Sequence, residues 1–290
     1  INDIGNIRFY FDNNAQPAID KPILQFFQAN EFPFQKPLVG DWLFSSGGYV
    51  CYQPIPFAQH LKITTTKLAK FYHIDYHLIH SPEKVKSFPE TTDEEIGIIK
   101  TSYLKLQKIG EDPKPVPANE LVITKEIVLP AGTKIILFNN SGAGRINSIK
   151  MQGLDKNNLR KLILRGFWDS ETTPCIESPV NDFFGCGFGN TNFKSLPIGM
   201  NNGEYYCYFP MPFNQSGKLE LENGNKSPVT FQYTIKWNKT VKTSEQLAYL
   251  HARFNQMLTK TGTPYTILQT QGNGLFAGVV LTMQGVNIGF

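Results

Sequence analysis

The chain contains almost the same nine residues twice. YVCYQPIPF occupies residues 49–57 and YYCYFPMPF occupies residues 205–213, and both aromatic stretches end in a Pro-x-Pro-Phe break. Recurrence of such a segment is the sequence signature of a duplicated structural unit. With 290 residues the chain is long enough for two domains of ordinary size, each with its own core. The repeat therefore predicts two copies of one fold, joined head to tail.

A second pair of segments extends the repeat. IRFYFDNNAQPAIDKPILQFF at residues 7–27 aligns with LRGFWDSETTPCIESPVNDFF at residues 164–184. This alignment places Asp12 on Asp169 and Asp20 on Glu177. FYHIDY at residues 71–76 aligns with QYTIKW further along, and the length differences fall in turns, as expected for a duplicated fold.

Each copy is expected to end in one helix. In residues 91–110, apolar residues recur at the i, i+3, i+7 spacing of an amphipathic helix, behind a Thr92-x-x-Glu95 capping box. Residues 243–262 repeat the pattern behind Thr243-x-x-Gln246. The Pro-rich, charged segment EDPKPVPANE lies between the copies and is typical of a semi-rigid linker.

The composition indicates a protein built of strands and turns. Aromatic residues are abundant, with 22 Phe and 12 Tyr, and 24 Gly and 19 Pro interrupt short apolar runs. We therefore expect an all-β protein with two tandem jelly-roll-like β-sandwich domains, each carrying one accessory α-helix. The expected boundaries are residues 1–112 for the first domain, 113–120 for the linker and 121–290 for the second domain.

Several functional classes are disfavoured by the sequence. The 28 Lys and Arg residues against 24 Asp and Glu are scattered, which argues against a nucleic-acid-binding surface. No apolar run approaches the roughly 18 residues that span a bilayer. The four cysteines, Cys51, Cys175, Cys186 and Cys207, show no C-x-x-C spacing, and we expect buried free thiols.

The segment His73-x-Asp75-x-His77 resembles a metal site, because alternate residues of a strand share one face. The alternative is that the apolar residues between them form the core face and the polar residues face water. The second copy favours this alternative, because it keeps the apolar positions and replaces His73 and Asp75 by Thr234 and Lys236. We therefore predict no metal site.

Carboxylates crowd the second copy, and glycoside hydrolysis requires two of them across one sugar. The candidates are Asp169, Glu171, Glu177, Asp182 and Glu204. Asp169 and Glu177 have acidic counterparts in the first copy, where a carboxylate near a proline is a common turn device, so we expect them to be structural. Asp182 differs, because its counterpart is Gln25.

The surroundings of Asp182 suggest a site for sugars. Phe183 and Phe184 follow Asp182 directly, and Trp168 precedes it in the same repeat segment. Aromatic side chains supply the apolar body of small-molecule sites, and a carboxylate fixes orientation. We predict a carbohydrate-binding site formed by Asp182, Phe183, Phe184 and Trp168.

These motifs resemble a known family. LRGFWDSETTPCIESPVNDFFGCGFG followed by YYCYFPMPF, with GRINSIKM ahead and GTPYTILQTQGNGLFAG behind, is similar to glycoside hydrolase family 172. The resemblance covers nearly the whole chain, with a more divergent copy in front. It implies a bacterial protein with jelly-roll architecture that forms trimers or multiples of them. It also implies retaining hydrolysis or transfer of fructofuranosyl groups by two glutamates, without a cofactor, and favours a periplasmic or secreted location.

One departure from the family pattern affects the expected role. The acidic Glu-Gly-Asp stretch and the Gly-Thr-Gly-Thr-Glu-Asp-Tyr-Phe motif, which the resemblance associates with the catalytic glutamates, do not occur in this sequence. No residue here inherits a catalytic role, and we expect a piece of a longer enzyme or a member whose catalytic module lies elsewhere. The chain would supply scaffold, oligomer contacts and part of a glycan pocket, in the loop from Asp182 to Met200. The alternative is a structural double jelly roll that assembles as viral capsid proteins do.

Overall fold

The structure is a computed structural model that divides into two compact units, Ile1–Lys108 and Ile109–Phe290. It describes residues 4–45, 47–67, 71–80, 85–90, 92–116, 118–155, 159–187, 189, 192–239 and 248–285. Strands dominate both units, and the chain is all-β. Among the described residues, no helix is long and apolar enough to cross a bilayer.

The first unit is built on one antiparallel sheet and two small hairpins. Its strands are β1 (Asn6–Phe11), β2 (Ile19–Pro22), β3 (Asn30–Glu31), β4 (Phe34–Gln35), β5 (Val39–Gly40), β6 (Val50–Cys51) and β7 (Leu61–Thr65), and its helices are α1 (Ile23–Phe27) and α2 (Asp93–Gln107). The sheet order is β2-β1-β7, while β3 pairs with β4 and β5 pairs with β6. Phe9, Phe11, Phe26 and Val39 form the centre of its apolar core.

Helix α2 confirms the helix predicted for the first copy. The side chain of Thr92 accepts the backbone N–H of Glu95, and the Glu95 carboxylate accepts the backbone N–H of Thr92 at 2.7 Å, which completes the capping box. Tyr103 is the one buried residue of this helix, and its hydroxyl donates to the carbonyl oxygen of Pro33 at 2.5 Å. A single aromatic side chain therefore anchors α2.

The second unit has two larger sheets. Its strands are β8 (Leu121–Leu129), β9 (Lys134–Ser141), β10 (Gly144–Gln152), β11 (Leu162–Trp168), β12 (Ile176–Pro179), β13 (Ile198–Asn201), β14 (Glu204–Cys207), β15 (Met211–Phe213), β16 (Ser216–Asn223), β17 (Val229–Lys239) and β18 (Ala252–Arg253). A 3₁₀ turn at Leu159–Lys161 precedes β11, and α3 (Val180–Phe183) follows β12. One sheet has the order β13-β14-β10-β17-β8, with β15 also on β10, and the other has the order β18-β12-β11-β16-β9.

The two sheets of the second unit share one core. In β11 and β17 every second side chain is buried, as expected for strands with one face on a core and the other towards solvent. Tyr233 of β17 donates its hydroxyl hydrogen to the carbonyl oxygen of Leu137 in β9 at 3.1 Å, which ties one sheet to the other. The fully buried Trp168 and Phe213 stack with their ring centroids 6.3 Å apart.

The internal repeat is confirmed by strand register. Arg8 faces Asp20 across β1 and β2, and Arg165 faces Glu177 across β11 and β12. Both pairs form a salt bridge with an Nε–O distance of 2.9 Å. On the other side, β7 pairs with β1 as β16 pairs with β11. The expectation that Asp20 and Glu177 are structural is therefore met by a cross-strand ion pair in each copy.

The turns after β1 and β11 are also equivalent. Asp12 and Asp169 have left-handed backbones, with φ values of 50° and 51°. The Asp12 carboxylate accepts the backbone N–H groups of residues 59–60 at 2.9 and 3.1 Å. That of Asp169 accepts those of residues 214–216 at 2.6 to 3.2 Å. Each aspartate thus fixes the approach of a distant turn, as predicted for a structural carboxylate.

The helix predicted for the second copy is wrong over its described part. Residues 243–247 lie outside the described residues, and residues 248–260 contain no helix. Instead β18 runs parallel to β12, with Ala252 N–H donating to the Cys175 carbonyl at 3.0 Å. Backbone hydrogen bonds to a sheet edge override the helical spacing of the side chains.

The strand predicted at residues 71–76 is also wrong. Residues 71–80 form no strand, and the apolar side chains expected to face a core are exposed, among them Tyr72, Ile74 and Tyr76. Their counterparts in β17 pair with a strand on each side, β10 and β8. The described part of the first unit provides no strand beside residues 71–80, so an alternating pattern alone does not bury them.

Candidate functional site

The candidate site is the turn that follows β12 in the second unit. Pro179 begins α3 with φ −54° and ψ 144°, as expected for a residue whose ring fixes φ. The chain leaves α3 through Gly185, whose φ is 86° and whose missing Cβ would lie 2.5 Å from the ring of Phe193. Only glycine fits this bend. The resulting tight turn fixes the backbone around Asp182.

Asp182 lies beside a cation from a distant part of the chain. Its Oδ2 is 3.3 Å from Nε of Arg160, which belongs to the 3₁₀ turn before β11. The Asp182 side chain is only 13% exposed. Burial raises the pKa of this carboxyl, and the positive charge of Arg160 opposes that shift. Burial and the charge of Arg160 therefore act on the pKa of Asp182 in opposite directions.

Arg160 is held by three further contacts. Its guanidinium donates to the Gly187 carbonyl at 2.6 Å and to Oε1 of Gln256 at 3.1 Å. It also lies 5.3 Å from the ring centroid of Phe254, within the range of a cation–π interaction. The side chain is fixed on both of its faces, so it can present a preset charge to a ligand.

Two polar atoms at this turn have no hydrogen-bond partner among the described residues. They are Oδ1 of Asn181 and Oδ2 of Asp182, and both are buried. The amide nitrogen of Asn181 instead donates to the carbonyl oxygens of Cys186 and Gly187, at 3.2 and 3.3 Å. Buried acceptors are normally satisfied, so these two oxygens are exceptions that lack a donor among the described residues.

The three aromatic residues predicted as a sugar platform are buried. Trp168 is 1% exposed and Phe184 is 0% exposed, while Phe183 is 8% exposed. Trp168 donates its ring N–H to the Leu250 carbonyl at 2.8 Å, and Phe183 and Phe184 contact each other edge to face at 5.1 Å. Because no ring face of Trp168 or Phe184 reaches the surface, neither offers a sugar platform. Trp168 also ends β11, at the opposite end from Ile163, which pairs with Pro179 beside α3.

Three of the other candidate acids are engaged elsewhere, and the fourth, Glu171, is exposed. Glu177 binds Arg165 and also lies 3.4 Å from Arg253, and Glu204 binds Lys150 at 2.6 Å. Asp169 holds the turn described above. Each of these three carboxylates already has a structural partner, whereas one oxygen of Asp182 has only the ion pair. Asp182 therefore differs from the other candidate acids, because its buried Oδ2 has no hydrogen-bond donor among the described residues.

The His73 segment does not form a metal centre. His73 and Asp75 make one contact, with 3.0 Å between Nε2 and Oδ1, and both side chains are more than four-fifths exposed. Across the described ranges, no group of three or more His, Cys, Asp or Glu side chains is arranged to hold a metal ion. The predicted free thiols are confirmed, with Cys175, Cys186 and Cys207 buried and Cys51 partly buried.

One concavity of the second unit lies outside the Asp182 turn. It is an open cleft of about 500 Å³ on the outer face of the sheet that contains β17, and Glu126, Gln152, Asn202, Thr230 and Gln232 are among its lining residues. Its side chains are the ordinary solvent-facing residues of these strands. It is shallow and has no buried, charge-paired group, so we place the candidate site at Asp182.

Sequence reasoning found Asp182 but missed its partners. Arg160, Asn181, Phe254 and Gln256 come together only in the folded unit, and no short-range spacing links residue 160 to residue 254. The only usable signal was the loss of an acidic counterpart for Asp182 in the first copy, because an unmatched charge in a duplicated segment marks divergence of function.

Comparison with solved structures gives only remote likenesses. The chain is 10% identical to a capsid protein of Helicobacter pylori bacteriophage KHP30, over 42% of this chain and 89% of that chain, with a TM-score of 0.26. It is 12% identical to a serine protease of Aeromonas sobria, over 43% of this chain and 28% of that chain, with a TM-score of 0.21. Likeness at this level carries no functional argument.

Family comparison is more informative. No curated protein matches the chain. Two family models do match, described as "GH172 first beta-sandwich domain" over residues 1–96 and "GH172 domain-like" over residues 119–235. Each model lies within one unit of the structure, and the two follow the order of the units along the chain. The chain belongs to glycoside hydrolase family 172.

Proposed function

We propose that this chain is the scaffold of a fructofuranosyl-handling glycoside hydrolase and contributes part of its glycan pocket at Asp182 and Arg160. Membership of a glycoside hydrolase family supports a glycan as the ligand. A single observation supports this location. The buried Oδ2 of Asp182 lies beside the guanidinium of Arg160 and has no hydrogen-bond donor among the described residues.

A sugar suits this pair chemically. Vicinal hydroxyl groups can donate to a carboxylate and accept from a guanidinium at the same time, so one diol would satisfy both partners. A neutral ligand also leaves the ion pair intact, whereas an anion would compete with Asp182 for Arg160. The buried ring of Phe184 packs edge to face on Phe183 and keeps the turn rigid, which lowers the entropic cost of binding.

The reaction itself is assigned to acids outside the motifs present here. In a retaining mechanism two carboxylates lie about 5 Å apart on either side of the sugar bond. Two other candidate acids, Glu177 and Asp169, are engaged in structural contacts, as described above. The expected behaviour of this chain alone is therefore binding of fructans without their hydrolysis.

The test is binding of inulin-type fructo-oligosaccharides by calorimetry, with Asp182→Asn as the variant. Loss of charge-assisted hydrogen bonds should weaken binding by about tenfold or more. Glu204→Gln is the matched control, because it breaks an ion pair of β14 outside the site and should leave affinity unchanged. Equal affinity of wild type and Asp182→Asn would contradict the location. Release of fructose by the chain alone would contradict the non-catalytic role.

We further propose that the chain assembles into homo-oligomers, in trimers or multiples of them. Exposed apolar residues in the unpaired segment 71–80, such as Tyr76 and Leu78, support this proposal, because contiguous apolar surface marks interaction sites. Light scattering at high protein concentration measures the state directly. A stable monomer would refute it. The capsid-like alternative predicts continued growth into larger assemblies under the same conditions.

A further inference from the structure

The two copies differ in the length of one hairpin. In the second unit, Asn201 pairs with Glu204, so the turn between β13 and β14 contains only two residues. In the first unit the equivalent strands are β5 and β6, and Gly40 pairs with Val50. The counterpart of the Gly40–Val50 pair is Gly199–Tyr206, so nine residues (41–49) connect the pair in the first copy and six (200–205) connect it in the second. Extra residues in one copy of a duplicated hairpin are where a new function is expected, because loops carry binding groups on a fixed scaffold.

This loop, called the 41–49 loop, exposes large apolar side chains. Trp42 is 53% exposed and Leu43 is 72% exposed, while Phe44 is 46% exposed. Trp42 is distinct among the tryptophans of the chain, since Trp168 and Trp237 are both buried. Exposing a tryptophan and a leucine side by side costs free energy that a purely structural turn would avoid.

The described residues of the loop are joined by local hydrogen bonds. Oδ1 of Asp41 accepts the Phe44 N–H at 3.1 Å, and the Ser45 N–H donates to the Asp41 carbonyl at 3.0 Å. The Gly47 N–H donates to the Trp42 carbonyl at 2.8 Å, with a φ of 127° at Gly47. These bonds fix a compact turn, so Trp42 is presented in a preset position.

Phe44 completes the base of the turn. Its ring lies against the backbone of Gly40, where an added Cβ would come within 2.2 Å of a ring carbon. The ammonium group of Lys36 lies 5.5 Å from the centroid of the same ring. Phe44 is thus held from two sides and serves as packing, which leaves Trp42 and Leu43 as the groups that project.

We propose that the 41–49 loop is a second sugar-binding site, in which one pyranose or furanose ring stacks on Trp42 and a hydroxyl group donates to Asp41. The choice of a sugar rests on the proposed function and on size. The two projecting side chains supply on the order of 300 Å² of surface. A stable protein interface needs about 800 Å² per partner. One sugar ring needs only one aromatic face and a nearby acceptor.

The chemistry of Asp41 agrees with this ligand. One of its oxygens caps the turn, and none of the described residues donates a hydrogen bond to the other. A carboxylate oxygen beside an exposed indole reproduces the pairing of an apolar face with a few placed polar groups that small-molecule sites require. Lys36 adds a hydrogen-bond donor near the ring of Phe44, at the base of the loop.

The experiment uses the full chain and tryptophan fluorescence. Because Trp42 is the exposed indole, quenching by acrylamide reports mainly on this residue. Saturating inulin-type fructo-oligosaccharides should protect Trp42 from the quencher, and malto- and xylo-oligosaccharides test the class of sugar. Absence of protection by every oligosaccharide would overturn the inference.

Three variants separate the possible outcomes. Trp42→Ala should weaken oligosaccharide retention in affinity electrophoresis by about tenfold, whereas Leu43→Ala should leave it unchanged. Equal losses for both variants would indicate an apolar protein contact instead and would overturn the inference. Protection of Trp42 that persists in Asp182→Asn supports this site even if the proposed pocket fails. Binding that is lost in Asp182→Asn but unchanged in Trp42→Ala refutes this site alone.

Discussion

Replacing Asp169 by asparagine tests how one carboxylate stabilises the second unit. The side chain accepts three backbone N–H groups from residues 214–216 and the hydroxyl of Tyr249, the latter at 2.5 Å. Burial raises the pKa of Asp169, but the hydrogen bonds from Tyr249 and from the backbone outweigh it, and the net pKa lies below the ordinary value of 3.8. A lowered folded-state pKa gives stability that is present above the unfolded pKa and is lost as the pH falls through the folded pKa.

The magnitude follows from the number of bonds. A hydrogen bond to a charged group contributes about 1.5–3 kcal/mol and a neutral one about 0.5–1.5 kcal/mol, so removing the charge costs ~1 kcal/mol per bond. Asparagine keeps one acceptor oxygen for the backbone groups. The turn is partly exposed, so solvent screening reduces the sum of four such losses to about 2 kcal/mol. For a unit of this size that lowers Tm by about 4–8 °C.

The assay is urea denaturation of wild type and Asp169→Asn at pH 7 and at pH 3. The difference in free energy of unfolding should be about 2 kcal/mol at pH 7 and should shrink at pH 3, because protonation removes the charge from the wild type as well. Glu171→Gln is the control, an exposed carboxylate in the same turn, with an expected change below about 0.5 kcal/mol. A difference that does not depend on pH would refute this reasoning.

Two further predictions concern buried groups of the second unit. Asn223→Ala should lower the free energy of unfolding by about 3 kcal/mol. The reason is that the buried amide donates to the carbonyls of Leu129, Pro130 and Ser227 at 3.0 to 3.2 Å. Thermal denaturation measures this loss, and a loss under about 1 kcal/mol would contradict the prediction. Burial raises the pKa of Cys207 to about 12, so this thiol should not react with a thiol reagent at pH 8 until the unit unfolds. Labelling followed by mass spectrometry checks this, and modification of the folded chain would contradict it.

Local signals predicted the elements that depend on local contacts. The Thr92 and Glu95 capping box is complete within four residues, so its geometry could be predicted from the sequence, and α2 begins where the box places it. The repeat could also be predicted from the sequence. The Arg8–Asp20 pair and its counterpart in the second copy each join two strands that are adjacent in the chain.

Elements that depend on tertiary partners could not be predicted. Leu250 and Phe254 have helical spacing, but Trp168 N–H binds the Leu250 carbonyl and Glu177 accepts the Phe254 N–H, which holds this segment extended. Arg160 likewise reaches Asp182 only after the 3₁₀ turn and α3 have packed against each other. The spacing of apolar residues indicates which side chains can share one face, but it does not indicate which sheet edge the backbone will pair with.

The extended segment around β18 has a practical consequence for where the second unit can be cut. Tyr249 ties Asp169, the Leu250 carbonyl receives the indole of Trp168, and Ala252 covers the open edge of β12. The segment is therefore attached to the sandwich at three separate points. A recombinant domain that stops before Tyr249 would lose all three contacts at once and leave the edge of β12 unpaired. An unpaired strand edge promotes association with other chains.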